Sequence, residues 1–284
     1  MSSSGRLAIT YITTATAIIT IDGVNFITDP VFSPAGTEFD NTEGLFNKPG
    51  ILEYMGFAEP PPPPHEKLLA DPAMRLQELP PIDCVLLSHE DHLDNLDDEG
   101  RKLLDARKVF TTIDGAKNLQ PRPGVRGLAP WEKTTTVIGG KSFTITGTPC
   151  KHYPGGEVTG FVIETPSFGT HSSGLPNAVY FSGDTVYIDE LADIGKKWHI
   201  KAAVLNLGAA KVEFPALGTV QITLDGKQAA RLFRDIGADL MVPLHFESWE
   251  HFTEGKWENM KAFAEEGIEN EVRWLTPGVS TKIF

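Results

Sequence analysis

The sequence predicts an α/β protein built in layers, because a strand-rich beginning gives way to alternating strand, loop and helix patterns. Residues 7–28 predict two strands joined by a hairpin turn at Asp22-Gly23. Helical spacing predicts helices at 96–104, 114–119 and 223–236, the last capped by Thr223. Apolar runs predict further strands at 82–87, 109–112, 134–138, 142–146, 159–164, 178–182, 202–207 and 241–244.

A proline-rich segment separates the first strands from the rest. Residues 31–80 have no regular pattern, and five consecutive prolines at 60–64 predict a stiff polyproline II stretch. The segment is either a surface loop or a lid. Phe46, Tyr54, Met55 and Phe57 lie just before the prolines and are candidates to wall a substrate pocket. We expect residues 1–284 to form one domain with this loop at about 31–80.

The composition favours a small-molecule substrate over a polyanionic partner. The formal net charge is −13, which disfavours nucleic acid and anionic membrane surfaces. No apolar run is long enough to span a bilayer, and the N-terminus does not resemble a signal peptide. Two cysteines, Cys84 and Cys150, give no disulfide framework. We therefore expect a cytoplasmic protein.

Histidines and aspartates recur just beyond the predicted strands. Side chains at such strand ends meet on one rim of an α/β sheet, where ligands bind. Imidazole and carboxylate are the groups that hold zinc, iron or manganese. This pattern predicts a metal site for one or two ions, although a rim of unrelated polar loops is the alternative. The residues that share this position are Asp29, His89, His92, His152, Asp184 and His245.

Five stretches in the expected order resemble the metallo-β-lactamase superfamily, in particular its lactonase-like and N-acylphosphatidylethanolamine phospholipase D-like branch. They read ITYITTATAIITIDGVNFITDPVF, IDCVLLSHEDHLDNLD, TPCKHYPGG, VYFSGDT and MVPLHFESW. The resemblance implies a four-layer αββα sandwich with metals at one edge. It also implies that one ion is held by His89, His92 and His152, that Asp184 bridges, and that a second ion is held by Asp94 and His245.

The second of these stretches departs from the family pattern His-x-His-x-Asp-His. Either His89 is the first ligand after a one-residue insertion, or Glu90 takes its place without a gap. We favour His89, because imidazole is the better zinc ligand. Asn95 replaces the last histidine, so the second ion is expected to bind loosely, to be absent or to be a harder ion. Asn95, Glu90 and Asp29 are thus candidates to be ligands or to support them.

The predicted chemistry is hydrolysis by a metal-activated hydroxide. Zinc is the first choice of ion, with manganese or iron as alternatives, and Asp94 and Asp184 are the predicted catalytic carboxylates. Trp249, His251 and Tyr54 are predicted to bind the substrate, for which we expect a small lactam or lactone, including carbamate-type plant compounds. A phosphodiesterase and a non-catalytic metal-binding or scaffold protein are the alternatives.

Overall fold

The computed structural model describes residues 5–40, 42, 46, 49–61 and 65–284. The helices within them are α1 Ile51–Met55, α2 Asp98–Arg101, α3 Ile113–Asn118, α4 Asp193–Lys197, α5 Gly226–Asp235 and α6 Lys256–Glu265. The strands are β1 Leu7–Thr13, β2 Thr16–Ile21, β3 Val24–Thr28, β4 Glu38–Asp40, β5 His65–Lys67, β6 Cys84–Leu86, β7 Lys108–Thr111, β8 Val125–Gly127, β9 Lys133–Ile138, β10 Lys141–Thr148, β11 Gly160–Glu164, β12 Asn177–Phe181, β13 His199–Asn206, β14 Lys211–Phe214, β15 Gly218–Gln221, β16 Met241–Leu244 and β17 Thr281–Lys282.

Most of the described strands form two mixed sheets. The first has the order β17-β1-β2-β3-β6-β7-β8, and the second has the order β16-β13-β12-β11-β10-β9. Strands β3, β6, β7 and β8 run parallel to one another, as do β12, β13 and β16. Two small hairpins, β4–β5 and β14–β15, lie outside these sheets.

The two sheets pack face to face and helices cover their outer faces. Side chains from both sheets, such as Phe26 and Phe143, share one buried core, and these two rings meet edge to face at 5.0 Å. Leu232 and Phe233 of α5 pack on the outer face of the second sheet. Leu103 and Leu119, which follow α2 and α3, pack on the outer face of the first. The predicted four-layer αββα sandwich is confirmed.

The boundaries differ from the sequence prediction in three places. Residues 7–28 form three strands, because Thr14 adopts a positive φ of 43° and turns the chain between β1 and β2. Helix α5 begins after Asp225, which accepts a hydrogen bond from the N–H of Gln228, so Thr223 is not its cap. The region 96–104 contains only α2 and a 3₁₀ turn at Lys102–Leu104, beginning after the cap Asp97.

The proline-rich segment is less irregular than predicted. Residues 31–80 contain β4, α1, a strand β5 that pairs with β4, and a 3₁₀ turn at Leu76–Glu78. Residues 62–64 of the predicted polyproline stretch lie outside the described residues. The sequence pattern likewise did not predict strands β8, β14, β15 and β17 or helices α4 and α6. Within the described part of the chain, no helix has the length and apolar character needed to cross a bilayer.

Parallel strands bring their carboxyl ends to one edge of each sheet, and the two edges lie side by side. The loop after β6 reaches the loop after β12, where a Cβ on Gly183 would lie 2.8 Å from the Cβ of Ser88 and 2.7 Å from the carbonyl oxygen of Thr159. Gly183 also has a positive φ of 57°. Glycine has no Cβ to clash at this position and adopts a positive φ without strain, so Gly183 permits the close approach of the two edges.

Candidate metal centre

Three histidine rings converge at the common edge of the sheets. His92 Nδ1 lies 3.0 Å from His89 Nε2 and 3.4 Å from His152 Nε2. His89 and His92 follow β6 in the first sheet, whereas His152 follows β10 in the second. The three nitrogens belong to one group of possible metal-donor atoms that all lie within 4.8 Å of one another. Nitrogens held about 2.0 Å from a tetrahedral zinc ion lie about 3.3 Å apart, which this group matches closely.

Hydrogen bonds at Nδ1 of His89 and of His152 determine which nitrogen of each ring faces the centre of the group. His152 Nδ1 lies 2.7 Å from the carbonyl oxygen of Ile222 and must donate to it, because a carbonyl only accepts. His89 Nδ1 lies 2.8 Å from the hydroxyl of Ser88, which in turn donates to Asp29 Oδ2 at 2.8 Å. Both rings therefore present an unprotonated Nε2 to the centre, as a metal ligand must.

A second group of donors consists of Asp94, Asp184 and His245, whose ligand atoms also lie within 4.8 Å of one another. His245 Nε2 is 3.6 Å from Asp184 Oδ2 and 3.9 Å from Asp94 Oδ2. The other oxygen of Asp184 accepts a 2.7 Å hydrogen bond from Asn206 Nδ2. Asp184 follows β12, Asn206 ends β13 and His245 follows β16. Three neighbouring parallel strands thus supply this side of the centre.

Asp29, which follows β3, supports the first group through Ser88 and also contacts Asn95. Its Oδ1 accepts from the N–H of Ser88 at 2.6 Å, and its Oδ2 accepts from the Ser88 hydroxyl and from Asn95 Nδ2 at 3.2 Å. Asn95 is fully buried, and its Oδ1 has no partner among the described residues. Asp29 therefore orients Ser88, which contacts the ring of His89. Because Asn95 donates to Asp29 through its amide nitrogen, its amide oxygen points away from Asp29.

The electrostatics of the centre suit neutral rings at His89 and His245, whose pKa values are lowered by burial, and a bound cation. Burial, followed by repulsion from His92 and His152, holds the pKa of His89 well below its usual range. Burial and the nearby carboxylates of Glu66 and Asp184 raise the pKa of Asp94. For Asp184, burial acts to raise the pKa, but the neighbouring imidazoles, led by His245, and the hydrogen bond from Asn206 outweigh burial, so the pKa is lowered.

The donor set fits a metal ion. Asp184 Oδ2 and His245 Nε2 are buried and have no hydrogen-bond partner in the described part of the chain. Unpaired buried polar atoms are costly, and a bound cation would satisfy both. His245 also keeps a positive φ of 57°, a conformation that a non-glycine residue adopts at a cost and that places its ring in this group.

Glu90 is not part of the centre. Its Oε1 accepts a 2.8 Å hydrogen bond from Asn118, and its Oε2 lies 3.6 Å from the guanidinium of Arg101. His89 instead joins His92 and His152. Of the two alignments that the sequence left open, the structure brings His89, and not Glu90, together with His92 and His152.

All of the donors except His89 line the floor of a cavity of about 270 Å³. Its apolar wall includes Phe46, Phe57, Tyr153 and Phe214, whose rings contact one another edge to face. His251 also lines the cavity, and burial followed by repulsion from His245 lowers its pKa to about 3, so its ring is neutral.

Two of the predicted substrate-binding residues lie elsewhere. Tyr54 is 59% exposed on α1, because the buried residues of that short helix are Ile51 and Met55. Trp249 is only 2% exposed and packs with Phe39 and Leu68 instead of facing the cavity. Its ring stacks against His251 at 6.0 Å, so it supports a residue of the wall from behind.

Several residues of the centre escaped the sequence analysis. Asn206 follows the same rule as the identified ligands, since it ends a buried strand, and that position was a usable signal. Tyr153 lines the cavity from a position directly after His152 in the third motif, whereas Glu66 and Phe214 line it from outside the metal motifs. The places of Glu66 and Phe214 depend on the hairpins β4–β5 and β14–β15, which have no strong sequence pattern.

Comparison with known proteins assigns the family. A family described as "Beta-lactamase superfamily domain" matches residues 25–246, which include all six donors of the two groups. The chain belongs to the beta-lactamase superfamily. Among its relatives in this superfamily, the N-acyl-phosphatidylethanolamine-hydrolyzing phospholipase D 1 of Caenorhabditis elegans is 29% identical over 69% of the chain and 51% of its own length. A metal-dependent hydrolase of Rubrobacter xylanophilus is 27% identical over 76% of the chain and 88% of its own length.

A solved structure shows the same beta-lactamase superfamily fold. The isothiocyanate hydrolase from Delia radicum gut bacteria superposes with a TM-score of 0.71 at 20% identity, covering 96% of the chain and 98% of the hydrolase. The chain spans only 59% of the length of its uncharacterized mycobacterial relatives and 51% of the worm enzyme. Similarity to these longer proteins therefore concerns part of each.

Proposed function

We propose that this member of the beta-lactamase superfamily is a metal-dependent hydrolase that opens a small, uncharged cyclic amide or ester. The observation that carries the proposal is the convergence of two three-residue donor groups beside an apolar cavity, which every donor except His89 lines. A relative from Rubrobacter xylanophilus is named a metal-dependent hydrolase, which agrees with the first part of the proposal.

His89, His92 and His152 would hold one ion, and Asp94, Asp184 and His245 would hold a second. Three imidazoles favour zinc in the first position. Two carboxylates and an uncharged Asn95 nearby make a harder ion, manganese or iron, equally acceptable in the second. A divalent ion bound there supplies an activated water and polarises the carbonyl group to be attacked.

The protein groups around the donors would position the reactants and move the proton. Asp94 and Asp184 line the cavity floor, and Asn206 fixes the orientation of the Asp184 carboxylate at 2.7 Å. In this proposal Asp94 would accept a proton from the attacking water and return it to the ring nitrogen or oxygen as the carbon–heteroatom bond breaks. His251, neutral and in the wall, is placed to hydrogen-bond a polar atom of the substrate.

The shape of the cavity supports a small ring as the substrate. Its volume of about 270 Å³ is near the lower end of ligand pockets, which span about 300–1,000 Å³. Phe57, Tyr153 and Phe214 offer edges and faces for contact with a flat ring. Among the described lining residues there is no lysine or arginine to bind a phosphate group, which disfavours a phosphodiester.

The proposal is tested by metal analysis together with a substrate panel of lactams, lactones, cyclic carbamates and phosphodiesters. We expect bound metal, hydrolysis of at least one ring compound, and loss of activity on chelation. His152→Ala should lower kcat/KM by at least about 100-fold, because it removes a donor atom, whereas His171→Ala, at a half-buried position outside the cavity, serves as the control. Turnover of phosphodiesters alone would favour the alternative phosphodiesterase, and full activity of His152→Ala would refute the assignment.

A further inference from the structure

A row of four aromatic rings lines the cavity beside the metal donors. Tyr153 contacts Phe214 with the ring centroids 5.4 Å apart, Phe214 contacts Phe57 at 6.4 Å, and Phe57 contacts Phe46 at 5.8 Å. At its inner end, Tyr153 meets the ring of His92 edge to face at 5.7 Å. The row therefore begins at one of the metal donors and extends outward along the wall, from two buried rings to the half-buried rings of Phe57 and Phe46.

Two segments far apart in the chain hold the middle of this row. Phe57 follows α1, and Phe214 ends β14. The N–H of Ala216, in the turn between β14 and β15, donates to the carbonyl oxygen of Met55 at 3.0 Å. A Cβ on Gly56 would lie only 2.7 Å from the Cβ of Ala216, and Gly56 has a positive φ of 84°. Glycine at this position thus allows α1 and the hairpin to meet, which brings their two phenylalanine rings together.

The inner rings are packed into the same cluster as α1. Ile51 and Met55, the buried residues of that helix, share an apolar cluster with Tyr153 and Phe214. The hydroxyl of Tyr153 also donates to the sulfur of Met55 at 3.8 Å. Side chains packed at the density of a protein interior cannot move aside without leaving a void, which costs free energy. We therefore expect the row to keep a fixed position relative to the metal donors.

We infer that Phe214 and Phe57 set the upper size limit of the substrate: a compact ring system fits beside the metal donors, whereas one that carries a second, linked ring or an acyl chain is excluded. A compact ring gains contact with the aromatic edges and faces of the wall. A larger substrate would have to displace a ring that is held by its neighbours. The inference rests on the proposed function for the reaction itself, but the size limit is a property of the wall.

Binding of two probes tests the size limit without turnover. The probes are benzamide and 4-phenylbenzamide, both uncharged acyclic amides, titrated calorimetrically into the protein in buffer that contains zinc. The wild type should bind benzamide more tightly. Phe214→Ala should raise the affinity for 4-phenylbenzamide relative to benzamide by roughly tenfold, because the space left by a large buried side chain can hold a benzene ring. Phe57→Ala should act in the same direction. The control is Phe168→Ala, which removes a buried ring outside the cavity, next to Phe284.

The outcomes separate the two proposals. If Phe214→Ala and Phe57→Ala leave the ratio of the two affinities as it is in Phe168→Ala, the size limit is wrong. It is also wrong if neither amide binds the wild type or any variant, because the wall then holds no ring. If the ratio shifts as expected but no ring compound in the panel is hydrolysed, the size limit stands and the proposed reaction fails. If Phe214→Ala does not fold, Phe57→Ala decides the matter, because Phe57 is only half-buried.

Discussion

Neighbouring residues in the motif after β6 have entirely different surroundings. His89 is buried with its ring nitrogen 3.0 Å from His92, whereas Glu90 turns outward to Asn118 and Arg101. A bare spacing rule cannot distinguish these two side chains, because both could ligate a metal. The decisive contacts come from α3 and α2, more than ten residues away in the chain.

Single substitutions at these two positions should have different effects on metal content. His89→Ala should lose most of the metal of the three-histidine group, because one of its three donor atoms is removed. Glu90→Ala should keep the metal and lower the free energy of unfolding by about 1 kcal/mol, because it leaves Arg101 without that partner. Elemental analysis of the two purified variants and a denaturant titration measure these quantities. Metal loss in Glu90→Ala with retention in His89→Ala would reverse the assignment.

The elements that carry the donors were predictable to different degrees. The apolar run at 241–244 predicts β16 with its observed bounds, because a strand buried on both faces needs four consecutive apolar side chains. The hairpin β14–β15 was not predicted, because Phe214 is its one fully buried residue and its position depends on packing against α1. This is why the metal donors could be located from sequence but most of the cavity wall could not.

The prediction for α5 failed at its first turn. Thr223 has the right chemistry for a cap, but its hydroxyl accepts from the N–H of Ala210 instead. Asp225 accepts from the N–H of Gln228 at 2.7 Å and begins the helix. The contact with Ala210 thus occupies the hydroxyl of Thr223, and Asp225, two residues later, caps the helix instead.

Removing that cap should destabilise the protein without affecting the metal centre. Asp225→Ala should lower the free energy of unfolding by about 1 kcal/mol, since a helix N–H loses its acceptor. Lys227→Ala, in the same turn, should change it by less than about 0.5 kcal/mol, because the side chain is exposed and its ion pair to Glu265 is long at 3.9 Å. Denaturant titration of both variants provides the comparison. Equal losses would contradict the assignment of Asp225 as the cap.

At the scale of the whole molecule, the candidate centre joins the two halves of the sandwich. His89, His92 and Asp94 follow a strand of the first sheet, and His152, Asp184 and His245 follow strands of the second. The sheets share one apolar core, so their adjacent edges are held at fixed separation. Metal binding would then depend on the fold as a whole, which explains how donors separated by more than 150 residues meet at one point.

The most direct test of this account is anomalous X-ray scattering from crystals grown with zinc and measured at its absorption edge. We expect a peak about 2.0–2.2 Å from the nitrogens of His89, His92 and His152, and a second near Asp94, Asp184 and His245 if that group also binds an ion. Anomalous peaks confined to other parts of the surface, with none among these six side chains, would contradict the central claim that the two sheet edges together form a metal centre.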